Sequence, residues 1–217
     1  MSSSPRTLDV RTDPEAHLGE VVAHLESGGL IAYPTETVYG LGGSMRAGAV
    51  ARVRALKARE SGKPLIALVP SVAAVSDLRW TAGARELARV FWPGALTLVL
   101  EDPLGIFPPG VRDEDTHAVG VRVSPHPFVA RLVERFGGPI TSTSLNAAGE
   151  PPAQSGSAAA EVVRRLGAPD VLVLDGGTLS PSMPSSVVDC TGPEPVVLRE
   201  GAVPTNRLRC AVPGIHG

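Results

Sequence analysis

Aromatic residues are scarce in this chain: they make up 4% of its 217 residues, while hydrophobic residues of all kinds make up 43%. The core must therefore be aliphatic, and a surface that binds RNA by stacking bases on aromatic rings is disfavoured. Cysteine is nearly absent. Cys190 and Cys210 stand alone, without CxxC spacing, which argues against a disulfide framework or a zinc site and fits a reducing compartment. No charge of one sign dominates. The 20 basic and 22 acidic residues leave a net charge near -2, so bulk electrostatics give no tight hold on nucleic acid. No apolar run is long enough to span a bilayer, and the opening MSSSPRTLDV lacks the apolar core of a signal peptide. The expectation is a cytoplasmic protein with no membrane association.

Chemical signatures are missing too. There is no GxGxxG fingerprint, no GxxxxGK[ST] loop and no GxSxG elbow. The histidines, His17, His24, His117, His126 and His216, are scattered. No carboxylate pair suggests glycoside hydrolysis, and no side-chain set suggests a resident metal.

What is present begins at Leu30 to Gly43, LIAYPTETVYGLGG. Leu30 to Tyr33 reads as a buried strand that leaves the sheet at Pro34, which has no backbone donor. Thr35, Glu36, Thr37 and Tyr39 follow, and Gly40, Gly42 and Gly43 close the stretch. A strand running out into hydroxyls and glycines is where α/β proteins often hold small molecules.

Residues 1–12 read as a loose arm, 13–203 as one domain and 204–217 as a tail without pattern. Within the domain, Asp13-Pro14-Glu15 starts a helix that Gly28-Gly29 ends. Helices are predicted over Arg46 to Arg59, within Ser76 to Trp92, and over His126 to Phe136 and Ser157 to Leu166. Strands are predicted at 65–69, 95–100, 118–123, 139–145, 170–174, 186–190 and 196–199. Glu101 to His117, rich in Pro, Gly and Asp, reads as a long loop and a candidate lid. The order is not a strict βαβ alternation, so the predicted fold is α/β with an open, mixed, twisted sheet flanked by helices.

The chemistry on offer is cations beside strand-end hydroxyls: Lys57, Arg59, Arg122 and Arg199 with Thr35, Ser142, Ser144, Asn146 and Ser185. That set suits charge neutralisation and positioning rather than a protein nucleophile, as in phosphoryl or nucleotidyl transfer. Arg122 lies inside an apolar strand, where a charge is costly unless paired.

Seven segments occur in the order of the YrdC/Sua5 family: PTETVYGLG from Pro34, Lys57-x-Arg59, WPGALTLVL from Trp92, AVGVRVSPHP from Ala118, STSLN from Ser142, PSSVVD from Pro184 and LREGAV from Leu198. The chain resembles that family over residues 15–203, in its short, single-domain form. The resemblance implies an open twisted sheet around a positively charged cavity. It implies threonylcarbamoyl-AMP synthesis from L-threonine, bicarbonate and ATP, with magnesium accompanying ATP and pyrophosphate as second product. The product would feed N6-threonylcarbamoyladenosine (t6A) formation in tRNA through a downstream transferase complex, with at most weak direct RNA binding. By resemblance, Lys57 and Arg59 hold the ATP phosphates as the catalytic pair, and Ser144, Asn146 and Arg199 complete the nucleotide site. Thr35, Arg122, Ser142 and Ser185 hold threonine. Leu68 and the Pro184-Ser185-Ser186 run depart from the family pattern at positions expected to touch the threonine pocket. Two alternatives remain open: a paralogous carbamoyl-adenylating enzyme with another acceptor, and a double-stranded-RNA-binding module.

Overall fold

Side chains alternate between the two faces of a strand, so this fold is set by what covers each face of its sheet. The computed structural model describes residues 4–57 and 64–217. The strands are β1 (Thr7–Asp9), β2 (Leu30–Tyr33), β3 (Gly40–Gly43), β4 (Ile66–Leu68), β5 (Leu96–Glu101), β6 (Ala118–Arg122), β7 (Ile140–Ser144), β8 (Leu172–Asp175), β9 (Ser186–Asp189) and β10 (Val196–Arg199). Among the described residues they form one mixed sheet in the order β1-β8-β2-β3-β7-β4-β6-β5-β9-β10. β8 runs parallel to both β1 and β2, β4 parallel to β6, and β5 parallel to β9; the remaining neighbours are antiparallel.

The helices are α1 (Pro14–Glu26), α2 (Ala47–Leu56), α3 (Ala82–Phe91), α4 (Pro127–Phe136), α5 (Gly156–Arg165) and α6 (Thr205–Ala211). Their ends follow local chemistry. The side chains of Asp13, Thr81 and Ser155 accept the free N–H groups of Ala16, Ala84 and Ala158 at the starts of α1, α3 and α5. Gly137, at φ 75°, ends α4 in the left-handed conformation.

One sheet face is fully covered. Leu96, Leu98 and Leu100 of β5 and Val119 and Val121 of β6 pack there with Val53 of α2, Leu87 of α3, Val163 of α5 and Leu208 of α6. The other face is covered over half its width. Ile31 and Tyr33 of β2, Leu172 and Leu174 of β8 and Ile140 of β7 lie under α1 and α4, against Leu18, Val21, Phe128 and Leu132. Leu68 of β4, aligned with Ile140 and Arg122, is the last residue beneath this cover. Beyond it, no helix among the described residues lies over β4, β6, β5 and β9. Two cavities open on that side.

Several sequence expectations need correcting. Thr7–Asp9 is not a loose arm: it pairs in parallel with β8, and Leu8 and Val10 are buried. The tail is not patternless, since Thr205–Ala211 forms α6 and His216 bridges back to Val196. α2 stops at Leu56, short of the predicted Arg59; Arg59 itself lies outside the described residues. The glycine-rich close of the PTETVYGLGG stretch is a full strand. Leu41 anchors it in the core, and Gly42 is required where β7 approaches closely: a Cβ there would sit 1.8 Å from the carbonyl oxygen of Thr141. The 101–117 segment is a loop, but an anchored one. Asp102 is fully buried and accepts the backbone N–H groups of Ile106 and Phe107 at 3.0 and 2.9 Å. Phe107 and Val111 are buried as well.

Candidate active site

Strand alternation delivers the site residues. On β6 the core takes Val119 and Val121, so Ala118, Gly120 and Arg122 face the open side. On β5 the same logic turns out Thr97 and Val99, and on β7 Ser142 and Ser144. Six of the expected residues, Thr35, Arg122, Ser142, Ser144, Ser185 and Arg199, line one small polar pocket of about 70 Å³. Beside it lies a larger, more apolar cavity of about 400 Å³ that shares Ile66 and Arg199 with the first. Leu65, Val99 and Leu198 furnish its apolar wall, and Asp113, Thr116 and Asp189 its polar edge.

Arg122 is buried, and its partners fix its orientation. Its Nε donates to the Gly94 carbonyl at 3.1 Å, and its Nη2 to Thr37 Oγ1 at 3.2 Å and to the Glu36 carboxylate. Ser124 donates to the second Glu36 oxygen at 2.6 Å. The charge that the sequence places inside an apolar strand is thus paired, with Glu36 balancing part of it. Gly94 must be glycine for this arrangement, because a Cβ there would lie 2.1 Å from the Phe91 carbonyl oxygen.

Arg199 reaches in from β10, its Nη2 donating to the Ser185 carbonyl at 2.7 Å. Burial, and then the nearby Arg122, hold its pKa below the ordinary guanidinium value. Among the described residues no carboxylate pairs with it. Both guanidiniums line the one pocket, Arg122 paired with Glu36 and Arg199 held by the Ser185 carbonyl. Ser185 Oγ lies 3.0 Å from Thr97 Oγ1. Thr35 Oγ1 donates to the Val38 carbonyl at 2.7 Å and accepts the Thr37 and Val38 N–H groups, fixing the turn after β2.

Lys57 and Asn146 stand behind this pocket. Lys57 Nζ donates to the backbone and side-chain oxygens of Asn146, both at 2.8 Å, and Ser144 Oγ donates to the same side-chain oxygen at 2.8 Å. The Ser144–Asn146 pair thus joins Lys57 to the pocket wall.

A family model covering Sua5, YciO and YrdC, described as telomere recombination, matches residues 23–201. The chain belongs to the Sua5/YciO/YrdC family. It is 32% identical over 207 residues to the threonylcarbamoyl-AMP synthase of Bacillus subtilis, an alignment that covers 94% of this chain and 58% of that protein. It is 41% identical to the threonylcarbamoyl-AMP synthase of Chromohalobacter salexigens, covering 79% of this chain and 91% of that one. Among solved structures, P. abyssi Sua5 complexed with L-threonine superimposes with a TM-score of 0.87 at 30% identity, covering 99% of this chain and 63% of that one. The chain therefore spans less than two thirds of the Bacillus and P. abyssi proteins.

Two expected departures from the family pattern fall away from the pocket. Leu68 is buried beneath the α1–α4 cover. Ser186 aligns with Leu96 on the opposite sheet face and accepts the N–H groups of Gly201 and Val203 at 2.9 and 3.1 Å, a structural role. Only Pro184 and Ser185 of that run line the pocket. Sequence reasoning missed Glu36, Thr37 and Thr97 as site residues. A signal for Glu36 was there: a buried arginine demands an acid, and Glu36 is the only acid in the hydroxyl run. Thr97 was readable as the one hydroxyl in an otherwise apolar strand.

Proposed function

We propose that this chain is an L-threonylcarbamoyladenylate synthase, making threonylcarbamoyl-AMP and pyrophosphate from L-threonine, bicarbonate and ATP for tRNA t6A formation. The observation that carries the reading is the pairing of Arg122 and Arg199 over Thr35, Ser142 and Ser185, beside a cavity large enough for a nucleoside. P. abyssi Sua5, which shares the fold at 30% identity, has been crystallised with L-threonine.

Threonine enters the polar pocket with its carboxylate toward Arg122. The threonine amine nitrogen attacks the bicarbonate carbon. The new N–C bond forms, water leaves, and a carbamate results. A carbamate oxygen then attacks the α-phosphorus of ATP, and the bond to the pyrophosphate oxygen breaks. Arg199 borders both cavities and offsets charge where they meet. Lys57, and Arg59 by resemblance, hold the phosphates that depart. Adenosine lies along the apolar wall of the larger cavity. Among the described residues no group of three His, Cys, Asp or Glu side chains could hold a metal. Those residues do not fit a resident ion, and magnesium enters as the counter-ion of the ATP substrate. Proton removal from threonine falls to bicarbonate and solvent. The product passes to a downstream transferase complex in the cytoplasm; among the described residues no helix is long and apolar enough to cross a membrane.

The test is pyrophosphate release from magnesium–ATP with and without L-threonine and bicarbonate, with L-serine as control. Release that requires both co-substrates and is weak with serine is expected. Turnover indifferent to threonine would overturn the acceptor assignment in favour of a paralogous activity. Salt-sensitive RNA binding without any turnover would favour the RNA-binding module.

A further inference from the structure

Thr97 has no part in the reaction described above, yet it stands between the two cavities. It lines the larger one, and its Oγ1 lies 3.0 Å from Ser185 Oγ, which lines the polar pocket. Both residues are buried. The two groups on the Thr97 Cβ are turned to different sides. A Cβ on Gly120, in the floor of the larger cavity, would meet Thr97 Cγ2 at 3.4 Å, so the methyl lies toward that floor. The hydroxyl lies toward Ser185, and among the described residues Thr97 Oγ1 has no other partner.

Almost everything about Ser185 is held from elsewhere. Its carbonyl accepts from Arg199 Nε at 3.2 Å and Nη2 at 2.7 Å. Gly201 lies against its backbone: a Cβ there would sit 2.2 Å from the Pro184 carbonyl oxygen and 2.7 Å from that of Ser185. These contacts leave open only the rotation of the Ser185 hydroxyl, which has one proton to give and two lone pairs to accept with. If Ser185 donated to Thr97, the Thr97 proton would be buried without an acceptor and would forfeit a hydrogen bond. If Thr97 donates, its proton is used on Ser185, and the Ser185 proton is left for the pocket. Arg199 Nη2, 3.4 Å from Ser185 Oγ, is a second donor to the same oxygen and favours the same arrangement.

We infer that Thr97 is a positioning residue for the carbamate. By donating to Ser185 Oγ, it leaves the Ser185 O–H free to donate into the polar pocket beside Arg199. On the synthase reading, which this role presupposes, threonine's carboxylate meets Arg122 and the carbamate has two oxygens. One attacks the α-phosphorus. The other accepts from Ser185 and Arg199, where the two cavities meet. The Thr97 hydroxyl touches no substrate and acts through Ser185 alone.

The experiment is a double-mutant cycle on pyrophosphate release at varied bicarbonate, threonine and ATP. Its variants are Ser185→Ala, Thr97→Val, which nearly keeps the shape and removes the donor, and the pair. Thr97→Val should lower kcat/KM for bicarbonate and for threonine about tenfold and leave the KM for ATP nearly unchanged. Thr97→Ser, which restores the donor, should recover most of that loss. In the Ser185→Ala background Thr97→Val should cost less than about twofold, because the hydroxyl it orients is gone. Thr97→Cys, a much weaker donor, repeats the comparison should valine shift the thermal transition. Full activity without the Thr97 donor, no rescue by serine, or an equal loss in the Ser185→Ala background would overturn this role while wild-type turnover stands. A wild type without threonine-dependent release would overturn the synthase reading itself, and this role with it.

Discussion

Arg122 shows how one buried charge organises a site. The Glu36 carboxylate joins it to Ser124, and the Gly94 carbonyl fixes its Nε. If threonine's carboxylate docks on Arg122, Glu36 sets where that guanidinium points. Glu36→Gln should raise the KM for threonine about tenfold to a hundredfold, the worth of a charge-assisted contact, and leave the KM for ATP nearly unchanged. Steady-state pyrophosphate release at varied threonine and at varied ATP checks the split. An equal rise in both constants would mean that Glu36 supports the whole cavity instead. His126 lies on the same network: its backbone N–H donates to Ser124 Oγ at 3.2 Å, and its Nδ1 is buried without a partner. Burial lowers its pKa in the folded chain, and Glu36 only partly opposes this. The unfolded chain takes up a proton on His as pH falls below about 6.5, while the folded chain stays neutral there. Stability is therefore lost on acidification, by up to about 1.4 kcal/mol per pH unit, until the folded-state pKa is reached. His126→Leu should flatten the dependence between pH 7 and the acid limb, as measured by urea denaturation at successive pH values. An unchanged profile would assign the acid sensitivity to other groups.

At the scale of elements, the strand faces were the legible part. In LTLVL and AVGVR the structure alternates, turning Thr97, Val99 and Arg122 to the open face and Leu96, Leu98, Val119 and Val121 to the core. β3 was not legible, because GLGG carries no hydrophobic pattern. Its pairing depends on a partner nearly a hundred residues away, Thr141, whose Oγ1 accepts from Gly43 N at 2.9 Å. Gly42→Ala should cost about 3 kcal/mol, since β3 and β7 must separate to admit a methyl group. Chemical denaturation measures this directly. A change under 1 kcal/mol would mean that the pair relaxes around the methyl. The 101–117 loop teaches a similar lesson. Its composition reads as a long loop, and what composition does not show is that one buried carboxylate, Asp102, holds the backbone of Ile106 and Phe107.

At the scale of the molecule, the order of the sheet was out of reach of the sequence. Helix and strand positions follow local periodicity and caps. Adjacency of β8 to both β1 and β2, or of β5 to β9, rests on contacts between distant segments, which local pattern does not encode. The missed edge strand gives a test at this scale. Removing residues 1–10 takes away β1, with the buried side chains of Leu8 and Val10. Stability should fall by about 3 to 5 kcal/mol, the worth of two apolar side chains, while pyrophosphate release at 25 °C stays intact, because no residue of β1 or of its partner β8 lines either cavity. Loss of turnover without loss of folding would place β1 in the functional machinery.

The same strand order has a consequence during synthesis. Of the strands described, β1 leaves the ribosome first, yet its partner β8 follows only after residues 10–171 have been made. β5 likewise waits for β9, and the polar pocket lacks Arg199 until β10 has emerged. Nascent chains cut short before that point carry unpaired strand edges and an incomplete polar pocket. A ribosome stalled before β10 emerges would therefore release a polypeptide with exposed strand edges for chaperones to bind and a polar pocket lacking Arg199.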